Sequence, residues 1–117
     1  MKQAKHIETL HQTAMELAQQ AEATPDAIRA RELFREAFEK EREAAELLQD
    51  RLDLEPTRSV LLRSAASLAV DCRDFAEAER LLDKGLSGKP PTDLAEEMRS
   101  LRRSIPGKEP VRRAVSG

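Results

Sequence analysis

From Gln3 to Ala23 the apolar residues Ile7, Leu10, Ala14, Leu17, Ala18 and Ala21 recur at steps of three and four. That rhythm lays them along one stripe of an α-helix. Thr24-Pro25-Asp26 then breaks the pattern. Thr24 is a capping residue, proline suits the first helical position, and an aspartate suits the positive end of a helix. So short a connection predicts an antiparallel hairpin. A second helix is predicted from Asp26 to Leu52, without an internal glycine or proline, roughly 40 Å long. Its first half presents Ala30, Leu33, Phe34, Ala37 and Phe38, and its second half Ala44, Ala45, Leu47, Leu48 and Leu52. Five consecutive charged residues, Glu39 to Glu43, separate the halves. They read as a solvated crossing between one packing partner and the next.

Three further helices follow. Leu54-Glu55-Pro56 ends the long helix, because the residue before proline resists helical angles. Thr57–Cys72 carries Val60, Leu61, Leu62, Ala65, Ala66, Leu68 and Ala69. After a turn at Arg73-Asp74 comes Phe75–Leu86, closed by Ser87-Gly88-Lys89-Pro90-Pro91. The last is expected to be capped by Thr92 and carries Leu94, Ala95, Met98, Leu101 and Ile105. Residues 1–106 thus form one all-α domain of about five helices. The remainder, 107–117, is polar, lacks periodicity and reads as a disordered basic tail.

The chain also repeats itself. Ala44 to Pro56 and Ala78 to Pro90 both read A-x-x-L-L-x-x-x-L-x-x-x-P, offset by 34 residues throughout. From Ser59 to Thr92 the sequence resembles a tetratricopeptide (TPR) helical hairpin. Leu62 and Ala66 stand where that family has a large and then a small residue. Phe75, Ala78, Leu82 and Pro90 match its second helix, while Ala69 replaces an aromatic and Gly85 an alanine. The preceding repeat matches in its second helix alone, its first helix being merged into the long one. The resemblance implies a TPR-like bundle that binds partners along the first helix of each repeat. On this chain that face is Val60, Arg63, Ser67, Val70 and Asp71, where Arg63 with Ser67 could hold a carboxylate. The lysine and asparagine clamp with which some family members grip chaperone tails is absent.

Composition narrows the chemistry. Charged residues reach 36%, above a typical globular domain, which suits helices with one solvated face. In the run from Arg29 to Glu46, pairs such as Arg35/Glu39 and Arg42/Glu46 each add about 0.2–0.5 kcal/mol to a helix. The net charge is −2, yet Met98 to Gly117 holds six bases against one acid. The body is acidic and the end basic. Helix C-termini favour cations, so Arg99, Arg102 and Arg103 need no ligand. With three phenylalanines and neither Trp nor Tyr, base-stacking platforms are disfavoured, and nucleic acid is not expected as a partner.

No catalytic constellation emerges. Glu8-x-x-His11 is half of a di-iron carboxylate motif, but His6 and His11 are the only histidines and no second such motif exists. Cys72 is the only cysteine; it can form no internal disulfide, fits a reducing compartment, and has no histidine on its own helix to act as base. No catalytic, cofactor or metal site is assigned. The first ten residues lack the apolar run of a signal peptide, and no stretch is long enough to span a bilayer. The expectation is a cytoplasmic, non-enzymatic interaction or scaffold module for a protein partner or a second copy of itself. A homodimer would use Leu33 and Leu47 on the long helix. The alternative is a nucleic-acid-associated regulator using the basic end.

Overall fold

The computed structural model describes residues 2–107. The basic tail expected beyond Gly107 lies outside them. Five α-helices run α1 (Lys2–Ala23), α2 (Ala27–Leu48), α3 (Thr57–Asp71), α4 (Phe75–Leu86) and α5 (Thr92–Ser104), with a short 3-10 turn at Leu52–Leu54. Among the described residues there is no strand. Each helix packs chiefly on its neighbour in sequence, and α5 also on α3. The result is a slab 19 Å thick, about two helix diameters.

Local chemistry sets the ends. Asp26 caps α2, its carboxylate accepting from the Ile28 and Arg29 amides, while Thr24 bonds back to the Gln20 carbonyl instead of capping. Asp74 caps α4 through the Glu77 amide. At the α3–α4 turn Arg73 takes a left-handed φ of 66°, and the Arg73 and Asp74 amides close on Val70 and Ala69. Thr92 is the first residue of α5, with Pro91 before it and no side-chain cap.

The end of α2 corrects the expected boundary. The helix stops at Leu48, and Arg58 of α3 packs against that end. Its guanidinium is buried to 1% exposure. It donates to the Gln49 carbonyl at 2.6 Å, the Lys84 carbonyl at 2.8 Å and Glu55 at 3.2 Å. One side chain thereby satisfies orphan carbonyls at the ends of two helices. Glu55 completes the knot by accepting from the Ser59 amide and hydroxyl. Gly88 is required here, since a Cβ would stand 2.7 Å from the Arg58 guanidinium. Gly85 likewise lets Met98 of α5 lie against α4.

The core joins Phe38, Ala44, Ala45 and Leu48 of α2 to Leu61, Leu62, Ala65 and Ala66 of α3 and to Ala78, Leu81 and Leu82 of α4. Ala44 and Ala78, 34 residues apart, are both fully buried, as are Leu48 and Leu82 to within 4%. Alanine at both positions lets backbones approach closely while leucine fills the space beside them.

Two expectations fail. Leu33 is buried at 4% exposure, so it is core and not a docking residue; Leu47 is half-buried against the same core. The charged run Glu39 to Glu43 is not wholly solvated, because Glu41 is fully buried.

Candidate functional site

The two faces of the slab differ. On one, α2 and α4 are linked by Arg35–Asp74 at 2.8 Å, Arg42–Glu77 at 3.6 Å, Glu46–Arg80 at 3.0 Å and Asp50–Lys84 at 2.7 Å. The last two pairs are separated by 34 residues, the period of the repeat. The Arg35 guanidinium beside Asp74 holds that carboxyl below its usual range, and Arg80 does the same to Glu77.

On the other face, among the described residues, no ion pair joins α1 to α3. A trough follows α1 instead. One cavity of about 430 Å³ lies between Gln3, Ala4 and Ile7 of α1 and Leu54, Glu55 and Thr57. A second, of about 310 Å³, shares Ala4, Ile7 and Thr57 with it and adds Glu8, His11, Val60 and Leu61. A third, of about 510 Å³, begins at His11 and continues past Met15 and Glu16 to Glu22. The walls mix apolar side chains with carboxylates; besides His11 they contain no basic residue. Asp71 of α3, which borders a separate hollow with Arg31 and Arg73, has its carboxyl raised first by partial burial and then by the negative charge of Glu22 on α1. Among the described residues no cation stands at ion-pair distance from either.

His11 sits where the second and third cavities meet. Its Nδ1 lies 2.8 and 3.0 Å from the two carboxylate oxygens of Glu41. The imidazole is 39% exposed and the Glu41 side chain 0%. Burial pushes the Glu41 carboxyl upward; the Ser64 hydroxyl, His11 and the Arg63 charge pull it back. A buried carboxylate of this kind orients the ring and fixes Nδ1 as the hydrogen-bonded nitrogen. Nε2 is left as the ring's polar atom for the trough.

The residues that the sequence places on the binding face separate in the structure. Val60 lines the trough. Arg63 is half-buried, with Glu97 of α5 3.3 Å from its Nε. Ser67 and Val70 are half-buried and Asp71 is exposed on the same helix. Sequence reasoning missed His11 and Glu41 as a pair. The signal was present: Glu41 stands 34 residues before Phe75, the position that opens the second helix of the repeat.

The described residues contain no group of three or more His, Cys, Asp or Glu side chains arranged to hold a metal. Cys72 is buried, with the Arg35 guanidinium 4.0 Å from its sulfur. No described helix is long and apolar enough to cross a membrane. No protein-family model, curated protein or solved structure matches the chain.

Proposed function

We propose that this chain is a non-enzymatic interaction module of tetratricopeptide type, which takes a basic segment of a partner protein into the trough between α1 and α3. One observation carries the reading. The trough is apolar and acidic and bridged by no ion pair of the described residues, whereas the opposite face is bridged from α2 to α4. Ile7, Leu54 and Val60 supply apolar contact. Glu8, Glu16 and Glu22 supply charge complementary to lysine or arginine, which steers encounter and selects against acidic partners. The 34-residue period and the two stacked hairpins support the family assignment. A lone buried thiol at Cys72 suits a reducing, cytoplasmic setting. A second copy of this chain, whose end from Met98 carries six bases against one acid, is one protein that meets the description. The nucleic-acid alternative has less support: Arg102 is engaged by Asp83 of α4, and the acidic trough would repel phosphate.

The test is fluorescence anisotropy with a labelled amphipathic Leu/Lys peptide and a matched Leu/Glu peptide. The Leu/Lys peptide should bind, and Glu8→Lys should weaken it by about tenfold, the scale of one reversed charge contact. Equal binding of the two peptides, or indifference to Glu8→Lys, would sink the reading. Sedimentation across concentration shows whether the chain binds itself, and displacement of that dimer by the Leu/Lys peptide would place the second copy in the trough.

A further inference from the structure

The pair at the centre of the trough has a property that its apolar neighbours lack. Glu41 has given up all contact with solvent, and His11 covers it from the trough side. While the imidazole is neutral, with Glu41 ionised, the pair carries one negative charge. Nδ1–H donates to Glu41, and Nε2 offers a lone pair outward. A lysine ammonium or arginine N–H of an occupant can donate to that lone pair. Uptake of one proton brings the pair to zero charge, whichever atom holds it, because two groups so close titrate as a unit. If the proton sits on Nε2, the lone pair is also lost and the ring presents a donor to a donor.

We infer that the His11–Glu41 pair is the specificity-determining contact of the trough: Nε2 accepts a hydrogen bond from a cationic side chain of the partner, and a proton competes with that side chain for the same atom. This rests on the functional reading above and adds the partner's anchoring group and its regulation by pH. Other charged groups face the pair. Arg63 and Ser64 act on Glu41 from α3, and Glu97 of α5 holds Arg63. Glu8, one helical turn from His11, lines the same cavity. Ordinary carboxylates titrate mainly below about pH 5 and lysine near 10, so a change between about pH 7.5 and 5.5 reports chiefly on histidine and on raised carboxyls. The chain provides its own control. Its other histidine, His6, is exposed and lies 3.5 Å from the equally exposed Glu43, outside the residues that line the trough.

The experiment measures affinity for the Leu/Lys peptide over that pH range in the wild-type chain and in His11→Gln, His6→Gln and Glu41→Gln, with circular dichroism confirming that each folds. Wild type and His6→Gln should weaken on acidification, by no more than about tenfold per pH unit, the limit that linkage to one proton sets. His11→Gln should bind more weakly at the higher pH and show a nearly flat profile. Glu41→Gln, which keeps an acceptor for Nδ1 but removes the charge, should also lose affinity at the higher pH. Calorimetry in two buffers of different ionisation enthalpy should show proton release on binding at the acid end of that range. A His11→Gln profile as steep as wild type, or a flat wild-type profile with binding intact, overturns this inference alone. Absence of peptide binding at every pH overturns the functional reading and this inference with it.

Discussion

The α2/α4 face and the α1/α3 face are built from the same two hairpins, yet among the described residues ion pairs join the two named helices only on the first. Ion pairs run from Arg35–Asp74 to Asp50–Lys84 along one face, and the buried Arg58 closes that arrangement where α2 and α4 both end. On the other face the charge of Glu22 on α1 helps to raise the carboxyl of Asp71 on α3. The contrast teaches what each buried charge is for. Arg58 makes all its bonds inside the protein, two of them to backbone carbonyls that need a donor. Glu41 is equally buried, but its partner His11 keeps one edge exposed. The first charge fixes the fold, and the second leaves an atom free for something outside it.

That contrast can be broken most severely at Arg58. Arg58→Ala would strip donors from Gln49 and Lys84 and leave a void beside Gly88. Chemical denaturation should show a loss of about 3–5 kcal/mol, the usual result of removing one member of a buried network. A loss under about 1 kcal/mol would mean that water replaces the guanidinium.

Glu41→Gln should act in the opposite direction and by less. A carboxyl whose folded pKa is raised penalises the folded state while ionised, and the penalty fades as pH falls through the folded value. The glutamine variant should be more stable than wild type near neutral pH, by on the order of 1 kcal/mol. The gap should close on acidification. An advantage that grows as pH falls would mean that Glu41 is held as a favourable ion pair.

Arg80→Ala tests the ion-paired face. Its pairs with Glu46 and Glu77 are partly exposed, so the loss should be about 0.2–1 kcal/mol and shrink in high salt. For Asp74 and Glu77 the sign reverses. Their lowered carboxyls contribute stability that is present above the unfolded values, near pH 4, and is lost below them. The smallest effect should come from Ile28→Ser. Ile28 is 75% exposed in the first turn of α2, and thermal unfolding should place the variant within about 0.5 kcal/mol of wild type. A larger loss would show that this side chain is covered in solution.

The helices were legible because their apolar residues keep a helical period and their ends carry punctuation. Phe75–Leu86 has the expected boundaries, and α1 and α3 differ from expectation by one residue at one end. The end of α2 was not legible, since Arg58, nine residues beyond Gln49, takes the carbonyl there. No local pattern announces such a contact. Glu41 was hidden for a related reason. Within Glu39 to Glu43 every residue is charged, and only the 34-residue register that aligns Glu41 with Phe75, or the packing of α1 and α3 onto α2, distinguishes the buried one. Of the binding face that the resemblance implies, Val60 lines the trough. The opposite wall, His11 and Ile7, belongs to α1, which the repeat pattern did not reach. The pairing of Arg63 with Glu97 was not legible, because Glu97 lies on a helix that the pattern treats only as a cap.

Packing of each helix chiefly on its neighbour in sequence has a consequence for how the chain assembles. Most native contacts close short loops, so contact order is low and folding should be fast. The same arrangement gives the molecule no distant strap. α1 is anchored chiefly by α2, and α5 by α3 and α4. Opening should therefore begin at the ends, and amide exchange should slow from both termini toward α3, which alone touches neighbours on both sides and the final helix as well. Since α1 supplies one wall of the trough, an occupant bound there would hold in place the helix most ready to leave, and its affinity would be readable as slower exchange in α1.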